Sequence, residues 1–109
     1  MVVHNIHNKA EFDAALKEHK VVLLDAFATW CGPCKAIAPI LAKHSNEEAF
    51  ANIHFVKIDV DEVPELSQEL GIRAMPTFIL FENGEKAQEI VGANPPALLQ
   101  AITKFAEKA

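Results

Sequence analysis

Val21-Val22-Leu23-Leu24-Asp25-Ala26-Phe27 runs through Ala28-Thr29 into Trp30-Cys31-Gly32-Pro33-Cys34-Lys35. The first seven residues are apolar except for Asp25 and read as a strand covered on both faces. From Pro33 to His44 the pattern changes to a helical one. Ile37, Ile40, Leu41 and His44 recur at helical spacing, with Pro39 inside the run. A proline there removes one backbone bond and should kink the helix. The decisive unit is therefore strand, turn, helix, with two cysteines where the helix begins.

The rest of the chain repeats that alternation. Val2 to Ile6 is a short β-branched candidate strand. Asn8 is a plausible cap for Lys9 to His19, where Phe12, Ala15 and Leu16 share one helical face. Ile53 to Val60 alternates well enough for a strand. Val63 to Leu70 reads as a short helix stopped by Gly71. Thr77 to Phe81 and Lys86 to Val91 flank Asn83-Gly84, a two-residue hairpin signal. Gly92 to Pro96 breaks the chain. Ala97 to Ala106, with Leu98, Ile102 and Phe105 on one face, is a helix that packs back. The order βαβαβαββα predicts an α/β domain: a mixed sheet with helices on both faces, parallel where helices intervene and antiparallel at the hairpin. Nothing divides residues 1–109, so one domain is expected.

Composition narrows the chemistry. The 109 residues are 50% hydrophobic and 23% charged, a globular profile. Ten Lys+Arg against fifteen Asp+Glu give a formal net charge of −5. That is a poor basis for gripping nucleic acid or an anionic membrane. The longest apolar runs fall far short of the ~20 residues a membrane helix needs. The N-terminal residues lack the pattern of a signal peptide. The expected address is a soluble, reducing compartment, the cytoplasm. Only two cysteines are present, which excludes a disulfide-framework mini-protein, a four-cysteine zinc site and an all-cysteine iron–sulfur cluster.

The cysteine spacing carries the chemistry. On a helix, residues i and i+3 share a face, so both sulfurs can meet within one turn. At a helix start, unpaired N–H groups and the positive dipole end favour an anion, and a thiolate on Cys31 would gain that stabilisation. Pro33 suits a first-turn position. A four-residue loop constrains the unfolded chain little, by about 2 kcal/mol against roughly 5 for a long loop, so a structural staple makes poor use of the pair and a reversible disulfide a better one. The competing roles are half a zinc site and a cysteine protease. No further cysteine completes a zinc site, and the five histidines (His4, His7, His19, His44, His54) form no closely spaced pair after the cysteines. Nothing ties a histidine to Cys31 for proteolysis. Asp25 is the second anomaly: if buried, its carboxyl should have a raised pKa and could exchange protons with a thiol, and if at the strand end it reaches solvent. Lys57, in the next strand, either approaches Asp25 or snorkels to the surface. Trp30 is either core or contact surface; its place on the turn favours partial exposure.

Trp30-Cys31-Gly32-Pro33-Cys34-Lys35, with Asp25, Lys57, Met75-Pro76-Thr77 and Gly92, closely resembles the thioredoxin family, over essentially the whole chain. The resemblance implies the thioredoxin fold, a five-stranded mixed sheet flanked by four helices, and a protein-disulfide reductase. It implies that Cys31 is the exposed attacking thiol, that Cys34 is the buried resolving thiol, and that Asp25, aided by Lys57, is the proton acceptor for Cys34. It implies a cis peptide at Met75-Pro76, with the backbone of Ala74 and Met75 pairing with an extended substrate. Trp30, Gly32, Pro33, Pro76, Gly92 and Ala93 would complete the docking surface. No bound cofactor or metal is implied: the working group is the Cys31–Cys34 disulfide, recharged by a thioredoxin reductase that draws on NADPH. The implied partners are that reductase and disulfide-containing client proteins, and the expected state is a monomer. Two other readings use the same fold: a docking module indifferent to redox state, and an oxidase or isomerase of the secretory pathway, whose members usually carry histidine where this chain has Pro33.

Overall fold

A computed structural model describes residues 3–109. The chain runs β1 (Val3–Asn5), α1 (Lys9–Glu18), β2 (Val21–Phe27), α2 (Gly32–Ser45), a short 3-10 turn (Glu48–Phe50), β3 (Ile53–Asp59), α3 (Pro64–Glu69), β4 (Thr77–Glu82), β5 (Glu85–Val91) and α4 (Pro95–Ala106). The predicted order is present throughout, and the 3-10 turn is additional. Val2, placed in the first strand by its β-branched pattern, lies outside the described residues.

Local chemistry sets most boundaries. Asn8 accepts the Glu11 N–H at 2.9 Å and caps α1. Asn83 and Gly84 take φ of 54° and 83°, the left-handed pair that an antiparallel two-residue turn requires. One boundary differs from expectation. The sequence pattern places Pro95 and Pro96 in the break before the last helix, yet they form its first turn, with Asn94 capping the Ala97 N–H at 3.1 Å. Proline lacks only an N–H that the first turn leaves unused, so it opens a helix as readily as it ends one.

The sheet order is β1-β3-β2-β4-β5, with β1, β3 and β2 parallel and β4 and β5 antiparallel to their neighbours. The centre of the sheet is β2, whose first six residues are buried because both faces are covered. On one face Val21, Leu23, Phe55, Phe78 and Leu80 pack against Ile37 and Leu41 of α2 and Leu98, Ile102 and Phe105 of α4. On the other, Val22, Leu24, Val56, Ile58 and Ile79 pack against Phe12 and Ala15 of α1 and Leu66 of α3. Burying each such large side chain contributes about 1.5–3 kcal/mol. The parallel strands β2 and β3 finish at one end of the sheet. There the Val60 N–H bonds the Phe27 carbonyl at 2.9 Å, carrying the pairing to the threshold of the cysteine turn.

Candidate active site

Chain connectivity places the cysteines. After β2 the backbone turns, with the Cys31 N–H on the Ala28 carbonyl at 3.1 Å, and α2 begins at Gly32. Cys31 is the N-cap of that helix, and its Sγ accepts the Cys34 N–H at 3.1 Å. Here sulfur occupies the position a serine or aspartate oxygen usually takes, so a charge on Cys31 would meet a backbone donor and the positive end of a 14-residue helix. Pro33 sits in the first turn, as expected. The two sulfurs form a disulfide with Cα atoms 5.3 Å apart. Pro39 lies inside α2, which continues past it to Ser45.

One expectation needs correction. Cys31 was to be exposed and Cys34 buried, but in this disulfide each is only 5% exposed. The cause is local: the bond draws the sulfurs together, and Ala28, Phe27, Val60 and Met75 pack around both. The cysteines differ in what they face. Cys31 Sγ lies 3.5 Å from the Met75 carbonyl oxygen, on the side where Ala74 is exposed. Cys34 lines a cavity of about 280 Å³ shared with Asp25, Lys57, Phe27, Ala28, Thr29, Lys35 and Ala38.

Asp25 is buried, 5% exposed, which removes the solvent-reaching reading. Its Oδ1 has no hydrogen-bond partner. Burial raises its pKa from 3.8 to about 7, and the Lys57 charge pulls the other way without prevailing. Lys57 lies directly opposite Asp25 in the β2–β3 register and is half-buried. Its ammonium stands 5.6 Å from the centroid of the Phe27 ring. It therefore approaches Asp25 across the cavity without bonding it.

The remaining predicted residues form the rim except Pro76, which is buried rather than on the docking surface because the Gly92 loop packs over it and bonds its carbonyl. Trp30 is 67% exposed, settling its position on the surface. The Met75–Pro76 bond is cis. Thr77 Oγ1 donates to the Ala74 carbonyl at 2.6 Å, and the Gly92 N–H donates to the Pro76 carbonyl at 2.8 Å. The first bond closes the Ala74–Thr77 turn on itself, and the second ties it to the Gly92–Ala93 loop. Gly32, Pro33 and Ala93 are exposed. Sequence reasoning missed Asp61, whose Oδ2 accepts the Trp30 indole N–H at 3.0 Å. Its signal was faint: an acidic residue two positions past β3, on the edge where that strand meets the turn. Among the described residues no three His, Cys, Asp or Glu side chains could hold a metal ion.

A strand-to-helix turn that presents two cysteines as a disulfide, beside an unpartnered buried carboxyl, is the working centre of a thiol–disulfide oxidoreductase. Comparison with known proteins gives the family. The thioredoxin family model matches residues 3–104, so the chain belongs to the thioredoxin family. It is 61% identical over 103 residues to thioredoxin-2 of Pyricularia oryzae, covering 94% of this chain and 59% of that longer protein. It is 50% identical over 105 residues to thioredoxin Asp f 29 of Aspergillus fumigatus, covering 91% and 94% of the two chains. A crystal structure of Malassezia sympodialis thioredoxin superposes with a TM-score of 0.91 at 46% identity, over 95% of this chain and 90% of that one. The fold is the thioredoxin fold, and the activity is dithiol–disulfide exchange.

Proposed function

We propose that this protein reduces disulfides in client proteins, with Cys31 attacking and Cys34 resolving. The observation that carries the assignment is the asymmetry of the two sulfurs: Cys31 Sγ accepts a backbone N–H at the helix start, while Cys34 shares a cavity with the Asp25 carboxyl. In the reduced protein the Cys31 thiolate attacks one sulfur of a client disulfide and expels the other as a thiolate. A mixed disulfide holds the client. Cys34 gives its proton to Asp25, and the Cys34 thiolate attacks the Cys31 sulfur. The second client sulfur leaves as a thiolate, the client has gained two electrons, and the Cys31–Cys34 disulfide remains. A pKa near neutrality suits Asp25 to accept and release that proton. Lys57, facing Asp25 across the ladder, moderates that pKa.

The client docks as an extended segment against Ala74 and Met75, whose backbone lies beside Cys31. Trp30, Gly32, Pro33, Gly92 and Ala93 supply the surrounding surface, with the buried Pro76 shaping the loop beneath it. The exposure of Trp30 and Ala74 and the proximity of the Met75 carbonyl to Cys31 Sγ support this reading. Two electrons return from NADPH through a thioredoxin reductase, which reduces the Cys31–Cys34 disulfide. It acts as a monomer in the cytoplasm. A chain whose only cysteines are the reactive pair, with no disulfide spent on stability, suits a reducing compartment.

The test is trapping. Cys34→Ser should accumulate a covalent complex between Cys31 and a disulfide substrate such as insulin, while Cys31→Ser should trap nothing. Normal turnover by Cys34→Ser would overturn the assignment. Full biological activity in a Cys31→Ser, Cys34→Ser double variant would favour a docking module instead.

A further inference from the structure

Three histidines that are remote in sequence form a row. The His54 ring lies between two others, with the His19 ring centroid at 3.7 Å and planes 10° apart, and the His4 centroid at 4.7 Å and 24°. Each ring comes from a different element. His4 belongs to the edge strand β1, His54 to the start of β3, and His19 is the C-cap of α1. Strands β2 and β3 run in parallel from this end toward the cysteines, so the row stands roughly 20 Å from the disulfide at ~3.3 Å per residue. The active-site chemistry makes no use of it.

The surroundings favour an uncharged His54 ring. Among the described residues, none of the three rings makes a hydrogen bond or ion pair, so stacking is what holds them. His54 is partly buried. Desolvation, then the positive charge His19 and His4 can carry, lower its pKa from 6.5 to about 4. The charged groups facing the row do not offset this. Glu47 and Glu48 line the hollow beside His4 and His54, but Glu47 Oε1 is held by His44 Nδ1 at 2.6 Å and Glu48 is exposed. On the far side of His19 lie Asp13, Lys17, Glu18 and Lys20, two acids and two bases. From β2 the residue paired with His54 is Val22, which offers no charge.

We propose that this imidazole row is an acid-released latch, which stacks β1 and the end of α1 onto β3 while neutral and opens that corner of the fold when its rings protonate and repel. The device is local. The dithiol end has its own titrating group, Asp25, whose raised pKa makes acid stabilise the fold, the opposite sign to His54. Overall stability therefore mixes the two, and a local measurement is needed to separate them.

The experiment is an NMR titration of the full chain from pH 7 to 4, following imidazole resonances and amide exchange. In the wild type, the His54 ring should titrate far below an unperturbed imidazole. Protection of the Ile6 amide, bonded to the Lys57 carbonyl, and of the His19 amide, bonded to the Ala15 carbonyl, should fall at least tenfold beyond the intrinsic change in exchange rate. The Cys34 amide should keep its protection. His54→Phe preserves a flat ring without a titrating group and should make the Ile6 and His19 protection independent of pH. Should that variant not fold, His19→Phe serves, because removing one neighbouring charge should move the His54 titration up toward 6.5. A wild-type His54 that titrates near 6.5, a His54→Phe protein that loosens as the wild type does, or equal loss at Cys34 would each overturn the latch.

Discussion

Asp25 and Lys57 stand opposite one another across the β2–β3 ladder, yet they form no ion pair. The lysine is half-buried, and its ammonium lies over the Phe27 ring. The aspartate is 5% exposed, with one oxygen unpartnered. A direct pair would hold the carboxyl ionised and useless as a proton acceptor of tunable strength. At a distance, the lysine only moderates the effect of burial, and the carboxyl titrates near neutrality.

This arrangement costs stability, and the sign can be worked out. The folded-state pKa of Asp25 is raised above its unfolded value of 3.8 to about 7. The folded state binds the proton more tightly, so the stability this group contributes is complete below pH 3.8 and is lost as pH rises through 7. Three pH units correspond to roughly 4 kcal/mol, an upper bound for a site that can admit water. Asp25→Ala should therefore be more stable than the wild type at pH 8, by about 2–4 kcal/mol in urea melts, with the gain shrinking at pH 5. The same variant should resolve mixed disulfides more slowly while its first attack is little changed. Equal stability of the two proteins at pH 8 would contradict the burial cost.

Lys57→Met tests the other partner. The lysine charge lowers the Asp25 pKa, so its loss should raise it further. NMR titration of the Asp25 carboxyl should move to higher pH, and the pH dependence of the resolving step should shift alkaline in parallel. An unmoved titration would mean that the ammonium is too well screened to act on the carboxyl.

Much of this was legible in the sequence because strong local signals agreed with the global fold. The seven-residue run Val21–Phe27 coincides with β2, and Asn83-Gly84 makes the hairpin. Cys31 and Cys34 were legible because i,i+3 spacing at a helix start has few other uses. Four things were not. The placement of Pro95 and Pro96 was missed because proline signals both a break and a helix start. The equal burial of the two cysteines depends on Met75, which arrives from a loop 44 residues away in sequence. Neither the Asp61–Trp30 bond nor the histidine row has a periodic signature, since each joins elements brought together only by the sheet order.

Gly92 separates backbone geometry from space. Its φ is 100°, in the region that favours glycine, and a Cβ built there would meet nothing within 4 Å. Gly92→Ala should thus be destabilising by about 1 kcal/mol through conformation alone. Relief of that φ would turn the Gly92 N–H away from the Pro76 carbonyl, now 2.8 Å off, and slacken the loop beside Cys31. KM for a protein disulfide should rise several-fold with little change in kcat. A variant as stable and active as the wild type would mean that the loop tolerates another conformation.

The Trp30–Asp61 bond makes a narrower claim about docking. Trp30 is the only tryptophan and exposes two-thirds of its surface, and its indole N–H is held by Asp61 Oδ2 at 3.0 Å. Exposed hydrogen bonds of this kind contribute little to stability, at the low end of about 0.5–1.5 kcal/mol. Fixing the ring before a client arrives removes an ordering cost that binding would otherwise bear, about 0.5–1.5 kcal/mol for an immobilised side chain. Asp61→Ala should therefore leave the melting temperature nearly unchanged while weakening client binding roughly threefold to tenfold. The rate of Cys31 alkylation by a small reagent, which needs no docking, should stay the same. Because the tryptophan is unique, its fluorescence anisotropy reads the ring directly and should fall in the variant. A variant whose anisotropy falls but whose client affinity holds would remove Trp30 from the docking surface.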